Sequence, residues 1–344
     1  MKIVQVLVSS GFGGAERLFV DLCNGMARRG HNVLAICPDR FQGLSLLDTK
    51  ADIIIENVDS RWDRNLFAEN KIRRAVKAFN ADVVHTHLAR TASLTGAALK
   101  NASLPVIANM HNYVKLKYYK NIKHFVPGTE HQASYFNSMG VAKQNITVIP
   151  HFSNIRKTSP VSHDFSQRKL VAFGRFVHKK GFDLLVRAVA LLGQQGFDLE
   201  LLLGGDGPER ERLRQLVHDL SIEDRVHFSG WVEDVEFFLQ KAPFFILPSR
   251  DEPFGIVVLE AMASGNCIIA TRTHGPNEVL QDGNAFLCEV DDVEDMAKAI
   301  FSAMHNPEVA KHCSLNAEKK FHERYAPDVI LGEYEKLFQQ LITT

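Results

Sequence analysis

Short apolar runs separated by amphipathic stretches recur along the 344 residues. Residues 2–8, Lys-Ile-Val-Gln-Val-Leu-Val, read as a strand that runs into Gly11-Phe12-Gly13-Gly14. After it Ala15, Leu18, Phe19, Leu22 and Met26 recur at three and four residues, a helix face that ends before Gly30. The pattern then predicts strands at 31–37 and, more weakly, 52–55, a helix at 65–79, a strand at 82–87, a helix at 90–100 and a strand at 106–110. Thr129-Glu130 opens another helix, and 146–150 reads as the last strand of this half. Residues 153–168, polar and broken by Pro160, read as a linker. The rhythm restarts with strands at 169–173, 201–203, 226–228 and 244–247, a helix at 182–194 and a second helix beginning near Gly255. A small strand at Phe286-Leu287 and helices at 292–304, 307–323 and 327–341 close the sequence. Buried strands alternating with amphipathic helices predict an α/β chain with parallel sheets covered on both faces. The length exceeds what one core usually supports, which predicts two domains, 1–160 and 161–326, followed by a helix over 327–344.

Composition changes this picture little, with 45% hydrophobic and 23% charged residues. There is no run of 18 apolar residues, and the opening apolar run is too short and lacks a small-residue cleavage site, so neither a membrane span nor a signal peptide is expected. Cys23, Cys37, Cys267, Cys288 and Cys313 are scattered without C-x-x-C spacing, as small buried hydrophobes would be. They point to a reducing cytoplasm. Charge is more informative. The net charge is zero, yet residues 1–160 hold 21 Lys plus Arg against 11 Asp plus Glu. One basic cluster is Arg61, Arg64, Lys71, Arg73, Arg74 and Lys77, and another is Lys115, Lys117, Lys120 and Lys123 with Tyr113, Tyr118 and Tyr119. They read either as solvated faces or as a surface for an anionic acceptor or an anionic membrane. Nothing resembles a nucleic-acid module, so nucleic acid is not expected as a partner.

The stretch Glu252-Pro253-Phe254-Gly255-Ile256-Val257-Val258-Leu259-Glu260 carries the strongest candidate chemistry. Phe244-Phe245-Ile246-Leu247 is a buried strand ended by Pro248-Ser249, which puts Glu252 in a loop beyond a strand's carboxyl end. Ligands of open α/β sheets bind there. Ile256, Leu259, Met262 and Ala263 share a helix face that Gly265-Asn266 stops, so Glu260 lies inside a helix. The unpaired N–H groups opening that helix suit a phosphate oxygen or a sugar hydroxyl. Carboxylates on either side of such an anion site accept hydrogen bonds from vicinal hydroxyls, which fits a nucleotide sugar. The alternative is a solvated loop glutamate and a surface helix glutamate.

Three further groups carry candidate chemistry. The loop after the first strand, with Gly13 and Gly14 before a new helix, suits an anion. It is not the G-x-G-x-x-G of dinucleotide-binding domains, although Asp39 could imitate that motif's ribose-binding acid. His85 and His87 lie two apart on a strand and point the same way at its carboxyl end. They read as a core or edge pair or as two ligands of a zinc site, for which His111 is the nearby third candidate. Arg175 and Lys180 follow a strand and could neutralise a diphosphate, or be surface cations.

Together these motifs resemble the retaining glycosyltransferases of the GT-B fold, in particular the large family 4, glycosyl transferases group 1. Glu252 to Glu260 matches that family's E-x7-E signature, and Gly275-Pro276-Asn277-Glu278 its second glycine and glutamate element. Gly174-Arg175 and Lys180-Gly181 match its G-R and K-G elements, and Gly205-Asp206-Gly207-Pro208 its G-x-G-P turn beneath the donor base. Gly13-Gly14-Ala15-Glu16 matches the G-G-x-E loop, and Asp82-Val83-Val84-His85-Thr86-His87 the D-V-V-H-x-H segment. The resemblance covers nearly the whole chain. It implies two doubly wound, Rossmann-like domains facing a central cleft, with the final helix returning to the first domain.

It also implies roles. Arg175, Lys180 and the helix start at Phe254, Gly255, Ile256 and Val257 would hold the donor diphosphate, together with Gly13 and Gly14. Glu252 would hold the sugar's hydroxyls, Glu260 the ribose, backbone near Val232 the base, and His87 the sugar from the other domain. Glu16, His111 and Asn112 would line the acceptor. The family retains anomeric configuration, with front-face attack and a donor phosphate oxygen taking the acceptor's proton. No metal or other cofactor is expected, since the two cations can replace the magnesium of D-x-D enzymes and the sequence has no D-x-D. The expected function is transfer from a nucleotide sugar, UDP-linked by frequency among similar proteins, to a glycan or lipid-linked anionic acceptor of bacterial cell-surface polysaccharide or lipopolysaccharide. The protein would be cytoplasmic, with peripheral contact to the inner face of the membrane. A silent nucleotide-sugar binder and, less favoured, a nicotinamide-dependent oxidoreductase are the alternatives; a pyridoxal-phosphate phosphorylase lacks its lysine motif.

Overall fold

The computed structural model describes residues 1–62, 64–155, 163–281 and 283–343. The centre of the expected linker and the expected domain boundary after residue 160 lie outside the described residues. The chain divides into two units, Met1–Asn154 with Ala326–Thr344, and Ile155–Tyr325.

Along the first unit run β1 (Lys2–Val6), α1 (Gly14–Arg28), β2 (Asn32–Cys37), β3 (Ile53–Asn57), α2 (Leu66–Phe79), β4 (Val83–His87), α3 (Ala89–Ala98), β5 (Val106–Met110), β6 (His124–Pro127) and α4 (Glu130–Ser138). The strands pair in parallel in the order β3-β2-β1-β4-β5-β6. Strands buried on both faces are largely apolar because helices cover each side; β5 is buried at every residue and apolar except for Asn109. Helix starts follow the side chains that can satisfy their free N–H groups. The Asn65 oxygen accepts from the N–H groups of Phe67 and Ala68 at α2, and Thr129 Oγ1 accepts from Gln132 at α4.

The second unit contains β7 (Lys169–Phe173), α5 (Phe182–Gln194), β8 (Glu200–Gly204), α6 (Arg210–Asp219), β9 (Val226–Gly230), α7 (Val235–Leu239), β10 (Phe244–Leu247), α8 (Ile256–Ala263), β11 (Cys267–Thr271), α9 (His274–Val279), β12 (Phe286–Cys288), α10 (Val293–His305) and α11 (Pro307–Lys320). Its order, β12-β11-β10-β7-β8-β9, is that of the first unit when each is numbered from its own first strand. Both are doubly wound α/β sheets whose order reverses beside the first strand, between β1 and β4 and between β7 and β10.

The structure differs from the sequence pattern at two strands. β6 and β11 carry no alternation and sit against a proline and behind a two-residue turn, so neither stands out locally. Residues 146–150 lie extended along β6, with the N–H groups of Thr147 and Ile149 donating to the carbonyls of Phe125 and Pro127, but only Ile146 forms a sheet bridge.

A last helix, α12 (Pro327–Thr343), completes the first unit's core. Ile330, Leu331, Tyr334, Leu337 and Phe338 are buried among α1 and strand residues, and Glu335 accepts from both Arg29, at 2.8 Å, and His31. Tyr334 is fully buried and its hydroxyl accepts from Asn109 Nδ2 at 2.9 Å. The His85 ring packs on Tyr334 and Phe338, fully buried, with neither nitrogen hydrogen-bonded among the described residues.

Two predictions follow from this core. Tyr334→Phe keeps the ring but strands the Asn109 amide in the interior, and is expected to cost about 1–3 kcal/mol. An unchanged thermal midpoint would refute the role given to that bond. Burial lowers the His85 pKa to about 3 from an ordinary 6.5, so the unfolded chain takes up its proton first. His85 therefore adds stability above pH 6.5 that is lost as pH falls toward 3, at up to about 1.4 kcal/mol per pH unit. In urea unfolding between pH 7 and 5, His85→Leu should show a shallower acid loss than the parent; equal slopes would contradict the assignment.

Candidate functional site

Each unit presents its candidate residues at the carboxyl end of its sheet, beside the point where strand order reverses. This is the position at which open α/β sheets bind ligands.

In the second unit the loops after β7 and β10 meet at an ion pair. Lys180 Nζ donates to Glu252 Oε2 at 2.5 Å, with the two side chains only 19% and 12% exposed, and Ser249 Oγ lies 3.5 Å from the same oxygen. Sequence reasoning gave these residues separate tasks, and the structure joins them. Lys180 ends a short 3-10 turn over His178–Lys180 and is followed by Gly181 at φ 66°. A Cβ on Gly181 would fall 2.0 Å from the carbonyl oxygen of Pro248, so only glycine lets the two loops lie this close. Gly275 plays the same part beneath the E-x7-E loop. Its N–H donates to the Glu252 carbonyl at 3.0 Å, and a Cβ there would lie 2.3 Å from Phe254 Cα.

Other residues that the resemblance assigns to the donor stand on neighbouring elements of this unit. Gly255 caps α8, Phe254 is buried, Ile256 and Val257 open the helix half-buried, and Glu260 is buried one turn further on. Arg175 stands exposed after β7. Its loop is laced to the loops after β8 and β9 by the Phe176 N–H donating to the Asp206 carbonyl and the Gly205 N–H donating to the Gly230 carbonyl. Val232 packs over Gly204 beside them.

Sequence reasoning missed the residue that binds these loops together. Arg250, 14% exposed, donates bidentately to Asp183 of α5 at 2.7 and 2.8 Å, to the His178 carbonyl at 2.9 Å and to Asp291 at 2.5 Å. Its own N–H donates to the Lys179 carbonyl at 2.8 Å. Partial burial pushes the Asp183 carboxyl upward, but the Arg250 guanidinium overrides this and holds it below its ordinary range. Arg250 and Asp183 lie 67 residues apart, and no local spacing announces the pair.

In the first unit, Glu16 closes the glycine loop. Its carboxylate accepts from Ser9 Oγ at 2.7 Å and from the Gly13 N–H at 3.1 Å, while Gly13 and Gly14 are exposed at the start of α1. The β4 histidines do point the same way, with ring centroids 4.7 Å apart. His87 is fully buried, edge-on to Phe19, with Nε2 2.9 Å from Gln5 Oε1 and Nδ1 3.4 Å from His111 Nε2. Gln5 presents an oxygen, so His87 donates through Nε2 and accepts at Nδ1 from His111. The His111 ring in turn lies 5.3 Å from that of His151. Burial first, and neighbouring histidines second, hold His87 and His111 well below the ordinary imidazole range, so both are neutral near pH 7. His111 is half-buried and Asn112 exposed, at the open end of this row. Among the described residues no three histidine, cysteine or carboxylate side chains converge as metal ligands, so the zinc reading of His85, His87 and His111 finds no geometry.

Comparison with known proteins gives this arrangement its relatives. The family described as Glycosyl transferases group 1 matches residues 156–320, and Glycosyltransferase Family 4 matches residues 12–156. The lipopolysaccharide core biosynthesis glycosyltransferase LpsD of Rhizobium meliloti is 31% identical across 99% of this chain and 98% of its own length. LpsE of the same organism is 32% identical across 84% of each. Among solved structures, Anabaena Alr3699/HepE in complex with UDP superposes with a TM-score of 0.86 at 20% identity, over 99% of this chain and 100% of that one. The lipopolysaccharide outer core galactosyltransferase WaaB superposes with a TM-score of 0.76 at 18% identity, over 99% and 100%. At such identities the superpositions speak for the fold, and the sequence matches for the family. The chain belongs to the family 4 glycosyltransferases of the GT-B fold, the glycosyl transferases group 1.

Proposed function

We propose that this glycosyltransferase moves a sugar from a UDP-sugar to an anionic glycan or glycolipid in the assembly of lipopolysaccharide or a related surface polysaccharide. In this reading anomeric configuration is retained and no metal takes part. The observation that carries it is the Lys180–Glu252 pair, which joins the loop after β7, where Arg175 also lies, to the loop leading into α8 at the second unit's switch point. The names of LpsD and LpsE, which place those relatives in lipopolysaccharide core biosynthesis, support the acceptor class, and the UDP in HepE supports the nucleotide.

The residues act as follows in this reading. Arg175, Lys180 and the N–H groups of Ile256 and Val257 take up the charge that grows on the departing diphosphate, which is help delivered where charge develops. Without donor, Lys180 neutralises Glu252; with donor bound, the lysine shares itself with a phosphate oxygen while Glu252 accepts from sugar hydroxyls. Glu260 accepts from the ribose diol, and backbone near Val232 meets the base. From the first unit, neutral His87 exchanges its hydrogen bond with His111 for one from a sugar hydroxyl to Nδ1, Gly13 and Gly14 approach the diphosphate, and Glu16, His111 and Asn112 stand on the acceptor side. The acceptor hydroxyl attacks the anomeric carbon from the face that the phosphate leaves. Its proton passes to a donor phosphate oxygen as the carbon–oxygen bond to diphosphate breaks. Neither glutamate forms a covalent intermediate.

Nucleotide release from UDP-, GDP- and ADP-sugars, measured in chelator, tests this reading. Turnover of a UDP-sugar is expected to persist, and Glu252→Gln to lower kcat/KM roughly a hundredfold or more. A requirement for added divalent metal, or preference for another nucleotide, would overturn the corresponding part; binding without turnover, even with lipid-linked acceptor, would make the protein a silent binder. Gly275→Ala provides a second check. The new methyl must displace Phe254 and with it the α8 start, and a shift of about 1 Å there is expected to cost on the order of a hundredfold in turnover. Wild-type turnover in that variant would show that the α8 amides do not act on the donor.

A further inference from the structure

Arg64 of one basic cluster and Lys117 and Lys120 of the other, far apart in the sequence, line one pocket of the first unit. Between them runs α3, flanked on one side by α2 and on the other by the 3-10 turn Leu116–Tyr119. Ser93 and Ala97 of α3 floor a pocket, and Arg64, Lys117 and Lys120 stand around it. Arg64 shares the Glu69 carboxylate at 2.8 Å, and Lys117 lies over the Tyr118 ring at 4.8 Å. Lys117 and Lys120 are exposed. From Val83 to Thr129 the chain has no Asp or Glu at all, while Arg90, Lys100, Lys115, Lys117, Lys120 and Lys123 fall within it. Along that stretch no carboxylate interleaves with the cations, unlike the mixed surface that only keeps a protein soluble.

Large apolar side chains flank Arg64 along the chain. Trp62, Leu66 and Phe67, around Arg64 in sequence, are 72%, 71% and 87% exposed. Leu66 and Phe67 begin α2, where the Asn65 cap fixes the backbone so that these side chains face water. Single exposed hydrophobics are ordinary, but three within six residues, one of them Trp, on either side of a cation that lines the pocket are not. A soluble phosphate would account for the cations and leave the apolar group unexplained. A lipid surface accounts for both, because aromatic rings settle at the interface and basic residues are drawn to its anionic headgroups.

We propose that this face docks on an anionic phospholipid bilayer. A headgroup phosphate sits among Arg64, Lys117 and Lys120, and Trp62, Leu66 and Phe67 enter the interfacial layer. The inference rests on the reading above only in placing the acceptor at a membrane; docking itself needs no turnover, so the two can fail separately. The full chain is sedimented with phosphatidylcholine vesicles, with and without about 30% phosphatidylglycerol, at low and high salt. Binding is expected with phosphatidylglycerol only, weakening as salt rises. The pair Lys117→Gln and Lys120→Gln should lower the partition coefficient roughly thirtyfold, two steps of about 1 kcal/mol each. Trp62→Ser with Phe67→Ser should lower it and abolish the blue shift of tryptophan fluorescence on vesicle addition. Nucleotide release in solution, measured alongside, should not change in any of these variants. Equal sedimentation with neutral vesicles, unaltered partition in either pair, or capture by an acidic polypeptide but not by vesicles would each overturn the proposal, whatever the donor assay shows.

Discussion

The second unit depends on backbone lying directly on backbone at the carboxyl ends of β7 and β10. Gly181 sits under the Pro248 carbonyl and Gly275 under Phe254, each at a distance where any side chain would collide. That contact brings Lys180 to Glu252, and Arg250 then ties the same loops through Asp183, Asp291 and the carbonyl of His178. The ion pair is therefore a result of loop packing as much as of charge attraction. Its two charges are mostly withdrawn from water, and such a pair is retained more readily for what it positions than for the stability it adds.

The first unit solves a different problem with the same topology. Its switch point holds a row of neutral imidazoles, from His85, packed against α12, through His87 to half-buried His111 at the open end. Each ring is held neutral by burial, and His87 and His111 share a hydrogen bond without carrying net charge. The second unit thus offers cations and carboxylates, and the first a row of neutral imidazoles beside the Glu16 carboxylate.

Much of this was legible in the sequence because its signals are local. The strand and helix rhythm, the carboxylates eight positions apart and the glycine loops each lie within a dozen residues, and the structure has them on the expected strand ends. The parts that were not legible depend on residues distant in the chain. Arg250 meets Asp183 across 67 residues, Lys180 meets Glu252 across 72, and Asn109 meets Tyr334 across 225. No periodicity encodes such meetings; they arise only once parallel strands set their ends side by side. β11 escaped notice for a related reason, since α8, Gly265-Asn266 and Cys267–Thr271 form one apolar run whose change of period is hidden by burial on every side.

The return of α12 to the first unit also orders events in time. Its Ile330, Tyr334 and Phe338 fill a core whose other members lie before residue 155, so that core stays open while everything between is being synthesised. The second unit is continuous from Ile155 to Tyr325 and can close as soon as its own strands have emerged. Nascent chains therefore pass through a stage with a finished second half and an unfinished first. During that stage the apolar floor meant for α12, including the ring of His85, is exposed to any chaperone or neighbouring chain that reaches it first.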